Sequence, residues 1–401
     1  MLTSKPLHEE PMVHTASQPV RPLPFPALNP PDGITPAQTR GWIPWSPPEW
    51  QLEQPSKPVR LPRRTWTAEQ RAAYEARVSW FHAARYGIFF HFLACGDRKR
   101  DILKGFYPVD ADWTSERWNR VVEAVDVEQT ADQAAELGAG YVVLTLGQWH
   151  RYACAPNPMI DSLWGLAPGQ YNSRRDLPME LGKALAQRNV HMMLYIMADR
   201  QHALPSPSGW TETDRYENWL RVAQWYSDHY GTLCQGWWVD FLNEDWTQDY
   251  RRRFTEVLRH GNPDALVASS QYEISDFLHG HCLGAHAPNT APDWDHQRKF
   301  GKPFFGRWDP DFTIQWHVLQ YLGSYWGAVD TPRRTEELVE YASDVVRGGG
   351  VFTFDVGAYR FEDRETVPCL EIPAAQLAQL RAVRDALRDV SPVQMSHFDP
   401  G

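Results

Sequence analysis

Short, continuously apolar runs alternate along the chain with segments whose apolar positions recur every three or four residues. The apolar runs are Tyr86–Ala94, Tyr141–Leu146, His191–Met197, Trp237–Val239, Ala265–Ala268, Pro303–Trp308 and Gly350–Val356. A run that is apolar throughout, without alternation, is the pattern of a strand buried on both faces, as in a parallel sheet. Between these runs lie predicted helices. Thr67 and Gln70 form a capping box that opens the first, which runs to about Ala84. Ser115 opens the next, and a third spans about Glu128 to Leu137 and stops at Gly138. Leu177–Gln187, Trp219–Tyr230, Trp246–Arg259, Thr313–Leu322, Thr335–Val346 and Ala374–Arg388 complete the set. Seven strands are visible and an eighth fits around Ser275–Leu278. Alternation of this kind predicts the α/β class, as a (β/α)8 TIM barrel. No GxGxxG opens a helix after the first strand, which argues against a doubly wound dinucleotide fold.

The flanks break the pattern. Residues 1–65 carry Pro22, Pro24, Pro26, Pro30, Pro31, Pro44, Pro47 and Pro48, which exclude long helices and central strands. Trp42, Trp45 and Trp50 argue against a free tail, so this stretch is expected to be an extended Pro/Trp-rich arm laid over the body or reaching a neighbouring subunit of a homo-oligomer. The barrel is expected over residues 66–362. A C-terminal helix and tail are expected over 363–401, with no C-terminal β-sandwich.

Composition narrows the function. A formal charge of −10 leaves no basic surplus for a nucleic-acid partner. No run reaches the 18 or so apolar residues of a membrane span, and the first residues lack a signal-peptide core, so a cytoplasmic location is expected. Five scattered cysteines without a CxxC pair suggest neither a disulfide framework nor a zinc ribbon, and no cofactor is expected. Nineteen tryptophans, by contrast, suit stacking against sugar rings, so a carbohydrate substrate is expected.

In a barrel the chemistry gathers at the carboxyl ends of the strands. Those ends carry His91; Gln148, Trp149, His150 and Tyr152; Asp240 and Glu244; Glu273 and Asp276; Trp308 and Asp309; and Asp355. Carboxylates, histidines and aromatics on one rim point to glycoside hydrolysis, in which one carboxylate attacks the sugar centre and a second group protonates the leaving oxygen. Asp240 ends the run Gly236-Trp237-Trp238-Val239-Asp240, and Trp238, two residues earlier, should share its face of the strand. A helix-capping role for Asp240 is the alternative. For the proton donor Glu273 ranks first, then Asp276, then Glu244. Trp149, Trp308 and Trp326 are candidate sugar platforms, and His91 a partner for a sugar hydroxyl.

Trp80-Phe81 with Tyr86–His91, Ala139–Thr145, Arg175–Leu177 with Leu194-Tyr195, Gly236–Asp240, Asn262–Val267 and Gly348–Gly357 follow one another in an order that resembles the α-L-fucosidases of glycoside hydrolase family 29. The resemblance covers about residues 78–358. It implies a barrel hydrolase that retains anomeric configuration, with Asp240 as nucleophile and His91 as a sugar-binding residue; Tyr195, on the third strand, is a further candidate for substrate binding. Gln148 and Trp149 stand where that family has paired histidines, and Ala268-Ser269-Ser270 where it has Asn-Asp-Arg. The substrate is therefore expected to be a fucoside or a related sugar. Two other readings remain: a metal-dependent barrel hydrolase using His279, His281 and His286 with Asp240 or Asp276, and a non-catalytic carbohydrate-binding relative.

Overall fold

The computed structural model describes residues 66–94, 113–148, 150–198, 204–240, 247–269, 275–278, 314–323, 326–362 and 365–390. The chain opens with helix α1 (Ala68–Ala84) and strand β1 (Tyr86–Phe90). Helices α2 (Ser115–Glu123) and α3 (Val127–Glu136) precede β2 (Tyr141–Thr145). A short helix α4 (Pro158–Trp164) and α5 (Leu177–Ala186) lead to β3 (His191–Met197). Then come α6 (Glu212–Tyr230), β4 (Cys234–Asp240), α7 (Gln248–Leu258) and β5 (Leu266–Ser269). The last part holds β6 (His317–Tyr321), α8 (Thr335–Arg347), β7 (Val351–Val356), the hairpin β8 (Tyr359–Glu362) and β9 (Glu365–Pro368), and α9 (Ala374–Leu387).

Seven parallel strands pair in the order β5-β4-β3-β2-β1-β7-β6. The short segment 275–278 links the two outer strands. On one side the Asp276 N–H donates to the Val267 carbonyl at 2.7 Å, and Val267 N–H donates to the Asp276 carboxylate at 2.8 Å. On the other, Phe277 forms a parallel bridge with Gln315, and Leu278 N–H donates to the Gln315 carbonyl at 3.0 Å. The segment fills the eighth position, and the sheet curls into a (β/α)8 barrel.

The expected helix over 313–322 is instead strand β6 from His317 to Tyr321. Ile314, Val318, Leu319 and Leu322 satisfy a helical spacing. Every residue of that strand is buried, however, and burial on both faces erases the period of two that would have marked it. The expected strand over 303–308 and the arm over 1–65 lie outside the described residues. Among the described residues no helix is long and apolar enough to cross a membrane.

Helix α1 closes the amino end of the barrel. Thr67 and Gln70 cap it reciprocally, as their spacing predicts. Tyr74, Val78 and Phe81, at helical spacing, are fully buried. Phe81 stacks on Phe277 at 4.3 Å and meets Tyr141 at 5.0 Å and His317 at 5.6 Å. Above this plug Phe89 of β1 meets Trp238 of β4 at 5.5 Å. Those strands are not neighbours in the sheet, so the contact runs through the interior. The barrel is packed solid below its carboxyl rim.

Candidate active site

Asp240 is the last residue of β4 and is partly exposed, while the four residues before it are buried. Its Oδ2 accepts a 2.7 Å hydrogen bond from the Tyr195 hydroxyl. Register explains the meeting: Tyr195 pairs with Trp238 and Met197 with Asp240, so the phenol reaches one step up its neighbour strand. Asp240 does not cap α7, whose first turn is held by Thr247, with its side chain accepting from Tyr250 N–H. A partly exposed carboxylate at the rim, steadied by a phenol above an aromatic floor, can attack an electrophile.

Tyr195 also joins this group to a second one. Its ring lies 6.0 Å from that of His91, just past the end of β1. The His91 Nδ1 hydrogen-bonds to Asp355 Oδ2. Asp355 is fully buried, and its other oxygen accepts from Gly327 N–H at 2.5 Å. Burial pushes the Asp355 carboxyl up from the ordinary carboxylate range, against His91 and the Gly327 N–H, which favour the anion. Phe89 stacks flat on the His91 ring at 4.2 Å and 16°, and Trp326 packs 5.5 Å from it. Tyr359 donates to the His91 carbonyl at 3.1 Å. Neither Gly327 nor Tyr359 was expected from the sequence. The left-handed φ of +63° at Gly327 is a property of the folded loop that no local motif announces.

Gln148 follows β2 and is 6% exposed, with a buried Oε1 that has no hydrogen-bond partner among the described residues. Such an acceptor is costly unless a ligand hydroxyl or water supplies a donor. Other expected site residues have structural duties. Trp238 is 1% exposed and packs against Phe89, Phe277 and His317, so it is floor beneath the site and not a wall facing a ligand. His150 is buried and its Nε2 accepts from Ala94 N–H at 3.0 Å. Tyr152 is buried too and donates to the Trp113 carbonyl at 2.8 Å. Both brace the backbone. Asp355, expected to touch substrate, is too deeply buried to do so.

Asp276 is corrected most sharply. It is 1% exposed, and its Oδ1 accepts from Arg77 Nη2 at 3.0 Å while its Oδ2 meets Arg259 Nη2 and Val267 N–H. Burial alone would raise its pKa. The Arg259 and Arg77 charges with the Val267 N–H outweigh burial and hold it below the ordinary carboxylate range. An anion locked in this way is neither a proton donor nor a metal ligand. Trp149, Glu244, Glu273, Trp308, Asp309, His279, His281 and His286 lie outside the described residues. Among the described residues no group of three or more His, Cys, Asp or Glu is placed to hold a metal ion.

No protein-family model and no curated protein matches the chain. Solved structures match it in fold. An endo-fucoidan hydrolase, MfFcnA9, of glycoside hydrolase family 107 is 17% identical with a TM-score of 0.56, over 79% of this chain and 64% of that one. An α-L-fucosidase isoenzyme from Paenibacillus thiaminolyticus is 20% identical with a TM-score of 0.55, over 79% and 76%. An α-L-fucosidase from Lactobacillus casei, in complex with α-L-fucose, is 16% identical with a TM-score of 0.51, over 77% and 97%. The chain thus has the barrel fold of these proteins, and it spans 54–64% of the fucoidan hydrolases it matches.

Proposed function

We propose that this chain is a glycoside hydrolase acting on a fucoside or a closely related sugar, with Asp240 as nucleophile and retention of anomeric configuration. The observation that carries the reading is Asp240 itself, a partly exposed carboxylate at the carboxyl end of β4 with one oxygen held by Tyr195. The likeness in fold to proteins named as α-L-fucosidases and fucoidan hydrolases directs the choice of sugar. On this reading Asp240 attacks the anomeric carbon, the glycosidic oxygen leaves with a proton, and water then releases the sugar from the ester. With Asp276 neutralised by two arginines, the proton donor falls to Glu273 or Glu244. Gln148 and His91 are the hydroxyl partners.

A panel of aryl glycosides that includes the α-L-fucoside tests this, with wild type beside Asp240→Asn. Loss of hydrolysis by at least about a thousandfold, with sugar binding kept, is expected when a nucleophile is removed. NMR should show the first-formed sugar in its original anomeric form. Full activity in Asp240→Asn, or an inverted product, would remove Asp240 from that role. Sugar binding without hydrolysis by the wild type would favour the binding relative.

A further inference from the structure

His91 and Asp355 are 264 residues apart in sequence and form a buried carboxylate–imidazole pair at the site. His91 and the Gly327 N–H favour the Asp355 anion, and an ionised carboxylate can only accept. With Asp355 as the anion, the proton between them belongs to His91 Nδ1, and in the neutral ring Nε2 is the acceptor. The described neighbours of the pair fix its geometry. Phe89 covers one face of the ring, and Tyr359 holds the His91 carbonyl. Gly327 N–H holds the second oxygen of Asp355. Gly327 admits no side chain without strain: its φ is +63°, and a Cβ there would lie 3.1 Å from the Tyr359 ring. Gln376 of α9 braces the adjoining backbone, donating to the Ala328 and Asp330 carbonyls at 2.8 and 2.9 Å and accepting from Gly357 N–H at 2.7 Å.

We propose that Asp355 is a positioning residue that sets the tautomer and ring orientation of His91, so that Nε2 engages a hydroxyl of the substrate. The proposal rests on the functional reading above for the identity of the ligand, but not for the state of the ring. Asp355 itself touches no ligand and acts through His91. Asp355→Asn is informative because of Gly327. Its N–H requires an acceptor, so the new amide must turn its oxygen that way and its NH2 toward His91 Nδ1. The ring must then carry its proton on Nε2 and would present a donor where the wild type presents an acceptor.

Two measurements test this. In histidine-labelled wild type, nitrogen NMR should show neutral His91 protonated on Nδ1. In Asp355→Asn it should be protonated on Nε2, with an unchanged circular dichroism spectrum. Calorimetry with L-fucose, or the KM of the best-cleaved aryl glycoside, should weaken by about 10- to 100-fold in the variant, the usual effect of losing an outer hydrogen-bond partner of a working histidine. Wild type protonated on Nε2 overturns the proposal without need of any variant. A flipped ring with wild-type affinity also overturns it, because His91 would then not engage the sugar. If the wild type binds and cleaves no sugar at all, the functional reading falls, and the wild-type tautomer still decides whether Asp355 sets the ring.

Discussion

A buried amide oxygen with no donor costs a folded protein about 1–3 kcal/mol. Among the described residues, Gln148 Oε1, past the carboxyl end of β2, has none. Replacing the side chain with one of similar shape and no polar atom removes that cost. Gln148→Met is therefore expected to leave stability unchanged or raise it by about 1 kcal/mol. It should also weaken sugar binding by roughly tenfold, the equivalent of one hydrogen bond at about 1.4 kcal/mol. Thermal melting and the KM of a cleaved glycoside, measured on one preparation, check both halves. A variant that melts lower and binds as before would mean that Gln148 serves the fold alone. Asp276 shows the opposite case. In sequence it is one of several carboxylates after a strand, but the arginines that neutralise it come from elsewhere: Arg77 from α1, 199 residues away, and Arg259 from the C-cap of α7, 17 residues before it.

At the scale of elements, the barrel interior depends on small residues that let large ones cross it. Gly87 in β1 is the sharpest example: a Cβ there would lie 2.2 Å from the Tyr141 ring, whose hydroxyl is anchored 2.6 Å from Thr353 Oγ1. Gly87→Ala should cost at least about 2 kcal/mol through overpacking. Gly87→Ala with Tyr141→Leu should cost less than the sum of the two single changes, because the clash is removed with the ring. Urea unfolding of the four proteins in that cycle provides the measurement, and strict additivity would exclude the clash. Local patterns such as the capping box at Thr67 and the apolar runs of β1, β2, β3 and β7 were readable in the sequence, because caps and buried strands are written in adjacent residues. Strand β6 was not, since its apolar positions fit either period. The link between Tyr195 and Asp240, and that between His91 and Asp355, depend on strand register. Register is a relation between segments tens to hundreds of residues apart. The residues of the rim are therefore legible in the sequence one by one, whereas their division into those that face a ligand and those that hold others in place is not.

At the scale of the whole molecule, the 275–278 segment closes the barrel, and two titratable groups guard that closure. His317 Nδ1 lies 2.9 Å from the Leu278 carbonyl and its Nε2 lies 2.6 Å from Thr353 Oγ1. Neutral His317 satisfies both if Nδ1–H donates to the carbonyl and Nε2 accepts from the threonine hydroxyl, whose oxygen accepts in turn from Tyr141. Burial pushes the His317 pKa down to about 3, although the Leu278 carbonyl favours the charged ring. The unfolded chain, with histidine near about 6.5, binds this proton first. The stability due to His317 is therefore complete above about pH 6.5 and falls by up to about 1.4 kcal/mol per pH unit below it, down to the folded value. Asp276 has the other window. Its folded pKa lies below the unfolded value of about 3.9, so its contribution persists until the pH drops under about 4 and is lost as the pH falls through the folded value. Replacing each group separates the two. His317→Gln can donate to Leu278 and accept from Thr353 with a neutral amide, so its unfolding free energy should be flatter than that of the wild type between pH 6.5 and 4. Asp276→Asn should leave that slope intact and cost about 3 kcal/mol at pH 7, because Arg77 and Arg259 lose the charge that compensates them. Denaturant unfolding at half-unit pH steps resolves the windows. A wild-type slope between pH 6.5 and 4 that His317→Gln does not reduce would mean that some other group governs the acid lability of the barrel.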